Sequence, residues 1–327
     1  MDKIKIGIVG YGNIGKAVEK AVGQNADMEI AVILTRRPPE QIKPKTPGLQ
    51  VDLIGNAPKY RDQIDVAVLC SGSARDLPEQ GPAMAAIFNT VDSYDTHAKI
   101  PQYFDTLDLI SRKAGKTAVI STGWDPGLFS LFRVIEESVL PVGSAYTFWG
   151  PGVSQGHSDA VRQLEGVQDA RQYTIPLKTA VEKVRQGGEP QLPTREKHLR
   201  DAYVVAEEGA DRERIAREIR NMPNYFADYD TKVTFISQAE MDKNHAEMPH
   251  GGFVMRNGKT AEGYRHVIEF SLKLESNPAF TASVLLAYAR AAFRMNREGN
   301  VGAKTVFDIP AAYLSMRTGA ELRREML

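Results

Sequence analysis

GIVGYGNIG, residues 7–15, closes a short apolar strand, KIKIGIVG (3–10), and opens a helix whose Ile14, Val18, Ala21 and Val22 share one face. Gly10, Gly12 and Gly15 stand in the spacing GxGxxG. That spacing is weak alone, but between a strand and a helix at the head of a βαβ unit it is the dinucleotide-binding fingerprint. Gly10 allows the tight turn, Gly12 lets the backbone approach a pyrophosphate, and Gly15 lets helix and strand pack closely. The helix N-terminus then offers free N–H groups and a partial positive charge to the phosphates. The competing reading is a glycine-rich turn with no ligand. On the cofactor reading, Gly10, Tyr11, Gly12, Asn13 and Ile14 are the first contacts.

The second strand, MEIAVIL (28–34), ends in Thr35, Arg36 and Arg37. Chains that hold a bare ribose 2′-hydroxyl place a carboxylate here. A 2′-phosphate would be repelled by a carboxylate and instead favours guanidinium groups and a hydroxyl donor. The sequence therefore predicts NADP over NAD, against the alternative of two loop arginines stiffened by Pro38 and Pro39. A third strand, DVAVLC (65–70), leads into CSGSARD (70–76). The small residues Cys70, Ser71, Gly72, Ser73 and Ala74 would let backbone come near the nicotinamide side, and read equally well as a strand-end turn.

Further out, AIFNTVDSY (86–94) and KTAVIST (116–122) supply two more strands, with helical stretches such as DTLDLISRKAG (105–115) between. Strands alternating with helices imply a parallel sheet covered on both faces. Past Trp124 the texture changes. DPGLFSLFRVIEESVL (125–140) predicts a helix with Asp125 as N-cap and Pro126 at its first position. YTFWG, AYVVAEE, KVTFI and the alternating GYRHVIEFSLKLES then suit strands of a mixed or antiparallel sheet. A long terminal helix, SNPAFTASVLLAYARAAFRMNREG (276–299), carries Phe280, Val284, Tyr288, Ala291 and Met295 on one face and is expected to pack back on the first domain. The fold class is α/β: a Rossmann-type doubly wound parallel sheet plus a second α+β domain. Residues 1–123 and 278–327 form the discontinuous dinucleotide-binding domain, and 124–277 the substrate-binding and dimerisation region.

The bulk numbers agree with a soluble two-domain protein. The chain has 327 residues, 42% hydrophobic and 25% charged, with 41 basic and 41 acidic side chains. Zero net charge argues against a nucleic-acid binder that works through phosphate contacts. The mixed-sign runs 200–220 and 318–327 read as solvated helix faces. One cysteine, Cys70, allows no intrachain disulfide, and no signal peptide or membrane-length apolar run is evident, so a cytoplasmic protein is expected. No cluster stands at metal-ligand spacing.

Three segments concentrate polar residues where sheets end. VDSYDTH places Asp92 and Asp95 after a strand, STGWDPG places Asp125 at a helix start, and WGPGVSQGHSDA carries Trp149, Gln155, Gly156, His157 and Asp159. Ligands of open α/β sheets bind beyond the C-terminal strand ends, so Asp92, Asp95 and Asp125 are expected to converge on a cationic group. Capping and turn chemistry are the plain alternatives for Asp125 and Asp92. Tyr173, Thr174, Arg200, His250 and Asn277 are further polar candidates, each weak alone.

Taken together, GIVGYGNIG, the TRR at 35–37, CSGSARD, VDSYDTH, STGWDPGLFS, GVSQGHSDA, MPHGGFV and SNPAFTAS resemble the meso-diaminopimelate dehydrogenases, in the same order and over nearly the whole chain. The resemblance implies a homodimeric, NADP-dependent enzyme that oxidatively deaminates the D-centre of meso-2,6-diaminopimelate to L-2-amino-6-oxopimelate, ammonia and NADPH, reversibly, on the way to lysine and peptidoglycan precursors. It implies that Asp95 and Asp125 meet the reacting amino end, either one being a candidate general base. Trp124, Trp149, Gln155 and Gly156 would shape that pocket, with Asp159 lining it. Thr174, Arg200, His250 and Asn277 would hold the distal L-centre. A substrate with two ammonium groups and two carboxylates needs both signs of charge in its site, which these residues supply. Two rival readings keep the glycine loop: a dihydrodipicolinate reductase-like, homoserine dehydrogenase-like or sugar oxidoreductase, and a non-catalytic NADP-sensing module.

Overall fold

The computed structural model describes residues 3–327. In chain order it runs β1 (Ile4–Val9), α1 (Asn13–Val22), β2 (Met28–Thr35), β3 (Val51–Leu53), β4 (Val66–Leu69), α2 (Leu77–Ala85), β5 (Asn89–Asp92), α3 (Ile100–Ala114), β6 (Thr117–Val119) and α4 (Leu128–Val139). There follow β7 (Val142–Trp149), β8 (Gly152–Val153), α5 (Gln155–Arg162), β9 (Val167–Pro176), α6 (Lys178–Arg185), α7 (Thr194–Lys197), β10 (His198–Ala206), α8 (Arg212–Arg220) and β11 (Asp230–Phe235). Last come α9 (Gln238–Asn244), β12 (His250–Ala261), β13 (Tyr264–Leu274), α10 (Asn277–Arg297) and β14 (Gly302–Lys304), with short helical segments beyond.

The chain divides into two compact units, Met1–Leu131 with Pro278–Leu327, and Phe132–Asn277. In the first, seven parallel strands lie in the order β14-β6-β5-β4-β1-β2-β3. Because strand side chains alternate, Ile6, Ile8, Ile33 and Val68 face one layer with α1 and α10, while Val9, Leu34, Ala67 and Leu69 face the other with α2 and α3. The terminal helix closes the first layer with Val284, Leu285, Tyr288, Ala291 and Met295, and Phe280 packs there partly buried. Each fully buried aliphatic chain of this kind stabilises the unit by roughly 1.5–3 kcal/mol. Arg290 of α10 also grips Asp27 at 2.5 and 2.8 Å and Asn25 at 2.7 Å.

One expectation about residues 123–131 needs correction. Asp125 is not an N-cap. Residues 123–127 double back, with Gly123 N–H donating to Pro126 O (2.9 Å) and Leu128 N–H to Gly123 O (3.0 Å), so α4 starts at Leu128. The unit boundary falls inside α4, eight residues after 123, because Leu128 and Leu131 pack into the same core as α10.

The second unit holds two sheets. One is mixed, β11-β10-β9-β8, with β10 antiparallel to β9 and parallel to β11; the other, β13-β12-β7, is antiparallel. In the first of these, Thr174 lies opposite Arg200 and Gln172 opposite Ala202, which puts all four on one face. Helix α5 covers that face through Val161, beside Ile215 and Ile219 of α8 and Phe226. No helix among the described residues is long and apolar enough to cross a membrane.

Candidate functional site

In the first unit a cleft of ≈ 270 Å³ opens at the ends of β1, β2 and β4. Gly10, Tyr11, Gly12, Thr35, Arg36, Arg37, Cys70, Ser71 and Gly72 line it, together with Leu34, Ile54, Asp76 and Gln80, which the sequence reading did not single out. Gly10 sits at φ +92, and a Cβ on Gly15 would lie 2.2 Å from Gly10 O, so both positions require glycine. Above Gly12 a Cβ would meet nothing within 4 Å. Helix α1 has no side-chain cap and no acidic residue in its first turn, so its leading N–H groups face the cleft unneutralised.

The two guanidinium groups at the end of β2 are fixed differently. Arg37 Nη2 donates to Tyr11 O at 2.7 Å, and its own N–H to the buried Thr35 hydroxyl at 3.1 Å. Arg36 is exposed and pairs with Asp76 at 2.8 Å, while Asp76 also accepts from Gly72 N–H at 2.9 Å. Asp76 stands in the quoted CSGSARD motif, so its signal was in the sequence. Asn13, Ile14, Ser73 and Ala74 are not among the cleft's lining residues. Ser73 instead donates to Asp95 Oδ1 at 2.5 Å and accepts from Asp95 N–H at 2.9 Å. The Cys70 thiol is buried, and burial pushes its pKa up, so it packs as an inert group.

Of the three aspartates, Asp92 stands apart from the expected group. Asp92 is fully enclosed: Oδ1 accepts from Tyr94 N–H (2.9 Å) and Ser121 N–H (3.1 Å), and Oδ2 from the Tyr103 hydroxyl (2.9 Å). Burial raises its pKa to about 6 against those donors. It fastens β5 to α3 and to the segment after β6. Asp95 is exposed, and Trp124 is buried edge-on against Phe129 (5.4 Å, 87°) beside Asp125.

In the second unit, Arg200 is 5% exposed. Its Nη1 donates to the Thr174 hydroxyl, the Tyr229 ring covers its face with Cζ 3.8 Å from the centroid, and Nε has no acceptor. No carboxylate pairs with it among the described residues. Burial lowers its pKa, though a guanidinium stays charged. His157 and His198 lie near enough to feel that charge. Burial first, then Arg200, brings His157 down to about 4, and burial, Arg200 and Lys197 bring His198 down to about 3. Both rings are neutral at pH 7. His198 Nε2 accepts from Trp149 N–H (2.8 Å) while the Trp149 ring stacks on it (5.6 Å, 28°).

The segments 152–156 and 248–250 are laced together. Val153 N–H donates to Pro249 O (2.8 Å), Gln155 Nε2 to Met248 Sδ (3.5 Å), and Asn277 N–H to Met248 O (2.9 Å). His250 is buried, and its Nδ1 lies 2.8 Å from Gly251 N and 3.1 Å from Gly251 O. A Cβ on Gly156 would meet nothing within 4 Å. Asp159 turns its carboxylate to Arg162 on the same helix. Among the described residues no group of His, Cys, Asp and Glu side chains could hold a metal ion.

Residues 123–276 match the Diaminopimelic acid dehydrogenase C-terminal domain. The meso-diaminopimelate D-dehydrogenase of Ureibacillus thermosphaericus is 58% identical over 100% of both chains. Two solved structures superpose closely. A sextuple mutant of the meso-dapdh of Clostridium tetani E88, with DAP, is 54% identical with a TM-score of 0.94, covering 99% of this chain and 100% of that one. An engineered D-amino acid dehydrogenase bound to NADP+ is 42% identical with a TM-score of 0.89 over the same shares. The Gln, Thr, Arg, Pro, His and Asn replaced in that mutant recur here, in order and at identical spacings, as Gln155, Thr174, Arg200, Pro249, His250 and Asn277. Of these only Pro249 had escaped notice, though it lies in the quoted MPHGG. With full-length identity of this order, the chain belongs to the meso-diaminopimelate D-dehydrogenase family.

Proposed function

We propose that this chain is an NADP-dependent dehydrogenase that oxidatively deaminates the D-centre of meso-2,6-diaminopimelate to L-2-amino-6-oxopimelate, ammonia and NADPH, and runs the reverse reaction when ammonia is abundant. The observation that carries the reading is Arg200: a buried guanidinium with no carboxylate partner and an Nε without an acceptor. An uncompensated buried charge costs several kcal/mol, so a site of this kind is made to receive an anion. A substrate carboxylate at the distal L-centre supplies it, with Thr174, His250 and Asn277 beside it.

The first-unit cleft fits NADP. Free N–H groups of α1 suit the pyrophosphate, the open space at Gly12 permits its approach, and Arg36, Arg37 and Thr35 suit a 2′-phosphate. When bound, NADP supplies the hydride acceptor. The protein's part is to hold the substrate and manage protons. Asp95 and Asp125 are assigned to the reacting ammonium group, and one of them takes its proton directly or through water. Trp124, Trp149, Gln155, Gly156 and Asp159 are assigned to the same substrate. We assign residues 1–131 with 278–327 to the cofactor, and 132–277 to the substrate and to a homodimer contact, in a cytoplasmic enzyme that needs neither nucleic acid nor membrane.

The test is absorbance at the NADPH band with purified protein, NADP and each diaminopimelate stereoisomer. Turnover is expected with the meso isomer and none with the L,L isomer. Equal rates with both, or reduction of NAD in preference to NADP, would refute it.

A further inference from the structure

Arg200 is braced before any ligand arrives. It leaves β10 opposite Thr174 of β9, whose hydroxyl accepts from Nη1. Its flat face lies under the Tyr229 ring, Cζ to centroid 3.8 Å. The ring is delivered by an independently anchored turn. Phe226 is fully buried against Val161, Ile215 and Ile219, and Tyr229 N–H donates to Phe226 O at 2.9 Å. Immediately after Tyr229, β11 begins, and its Asp230 and Thr231 pair in register with Leu199 and Arg200. Backbone pairing therefore fixes the height of the ring over the guanidinium.

We propose that Tyr229 is a positioning residue that sets the enzyme's affinity for the distal carboxylate by holding Arg200 flat, with the Nε–Nη2 edge left for the anion. This rests on the reading of Arg200 given above. The physical reason is conformational. An arginine side chain has several rotatable bonds, and freezing them at the moment of binding weakens affinity. A stacked aromatic ring freezes them in the free protein, and adds a cation–π attraction in a partly desolvated place. The stacking draws on the ring, while the hydroxyl also reaches the guanidinium, and Tyr229→Phe removes that hydroxyl alone. The stacking acts on binding of the distal end and not on chemistry at the D-centre, so it should appear in KM and spare kcat.

Tyr229→Ala, Tyr229→Met and Tyr229→Phe are compared in the full-length enzyme, each checked by thermal melting. The expected result is a rise of about 5- to 10-fold in KM for meso-diaminopimelate for Tyr229→Ala and Tyr229→Met, with kcat within about twofold. Tyr229→Phe should keep the parental KM. Should Tyr229→Ala fail to fold, Tyr229→Met decides, since it fills the space without a π face. Parental KM in Tyr229→Met, or an equal loss in Tyr229→Phe, overturns the proposal. In an Arg200→Met background Tyr229→Ala should add less than about twofold, and additive effects would place Tyr229 elsewhere. If Arg200→Met leaves KM for meso-diaminopimelate unchanged, the Arg200 reading itself falls. If Arg200→Met raises KM while Tyr229→Ala is silent, only the role of Tyr229 falls.

Discussion

The cleft at Gly12 and the buried surroundings of Arg200 are both assigned here to an anion, but they are built from different materials. At Gly12 the donors are main-chain N–H groups at a helix start, supplemented by Arg37 and by an exposed Arg36 that Asp76 keeps in place. At Arg200 the donors are buried side chains set by strand register, with neutral histidines and an aromatic ring for walls. A backbone site tolerates many side chains yet fails when a glycine gains a Cβ. A side-chain site tolerates backbone variation yet depends on each group it contains.

The sharpest way to break this contrast is Gly15→Val. Its Cβ would fall 2.2 Å from Gly10 O, so either the turn or α1 must move. NADP affinity is expected to drop by more than about 100-fold, measured by fluorescence titration; binding within tenfold of the parent would mean the glycine loop does not make the phosphate site. Next in size is Arg36→Asp, which removes a guanidinium and sets a second carboxylate beside Asp76. The ratio of kcat/KM for NADP over NAD should fall by roughly 10- to 100-fold, and an unchanged ratio would remove Arg36 from the 2′-phosphate.

The two regions should also respond differently to acid. His157 and His198 have folded pKa values of about 4 and about 3, below the ordinary histidine value of 6.5. A base with a depressed pKa contributes stability that is complete above pH 6.5 and is lost as pH falls toward the folded value. The loss is on the order of 2–3 kcal/mol for each ring by about pH 4. Hydrogen exchange should show strands β9 and β10 opening before β1 and β4 between pH 6.5 and 4.5. Simultaneous loss in both units would contradict this, and His157→Gln should flatten the slope. The smallest effect is expected of Asp92→Asn. Its carboxylate serves Tyr94, Ser121 and Tyr103 and no ligand, so kcat/KM should stay within about twofold of the parent. Because burial raises the Asp92 pKa to about 6, its contribution to stability is present below pH 3.8 and is lost as pH rises toward 6; the variant should lose that dependence. A large kinetic defect would return Asp92 to the substrate.

How far the sequence carried differs between the regions for the same reason. The glycine spacing, the strand ending in Thr35 and the small residues at Cys70 follow from rules of local geometry, and they line the cleft. Asp76 was missed because its task, holding Arg36, joins two loops 40 residues apart. For Asp92 the sequence left a ligand contact and turn chemistry both open, because turn position alone cannot reveal that Tyr103 and Ser121 arrive from α3 and a later loop to enclose it. In the second unit, Arg200 and Thr174 are paired only by antiparallel register, so their partnership was legible through family resemblance and not through spacing. Tyr229 carried no signal, since the residue it serves lies on a neighbouring strand. Strand β12 was hidden by Gly251 and Gly252, where a Cβ would strike Leu272 O and Phe148 O, so the usual branched strand formers are barred there.

The return of α10 to the first sheet has a consequence for biosynthesis. While the polypeptide is still emerging from the ribosome, Ile6, Ile8 and Val68 have no cover on the α10 side, and Asp27 waits for an arginine 263 positions downstream. The whole of residues 132–277 must be made first, and that insert can condense on its own while the earlier half stays incomplete. Stop codons shortly before residue 278 should therefore yield a chain that chaperones retain, with its inserted part already resistant to protease.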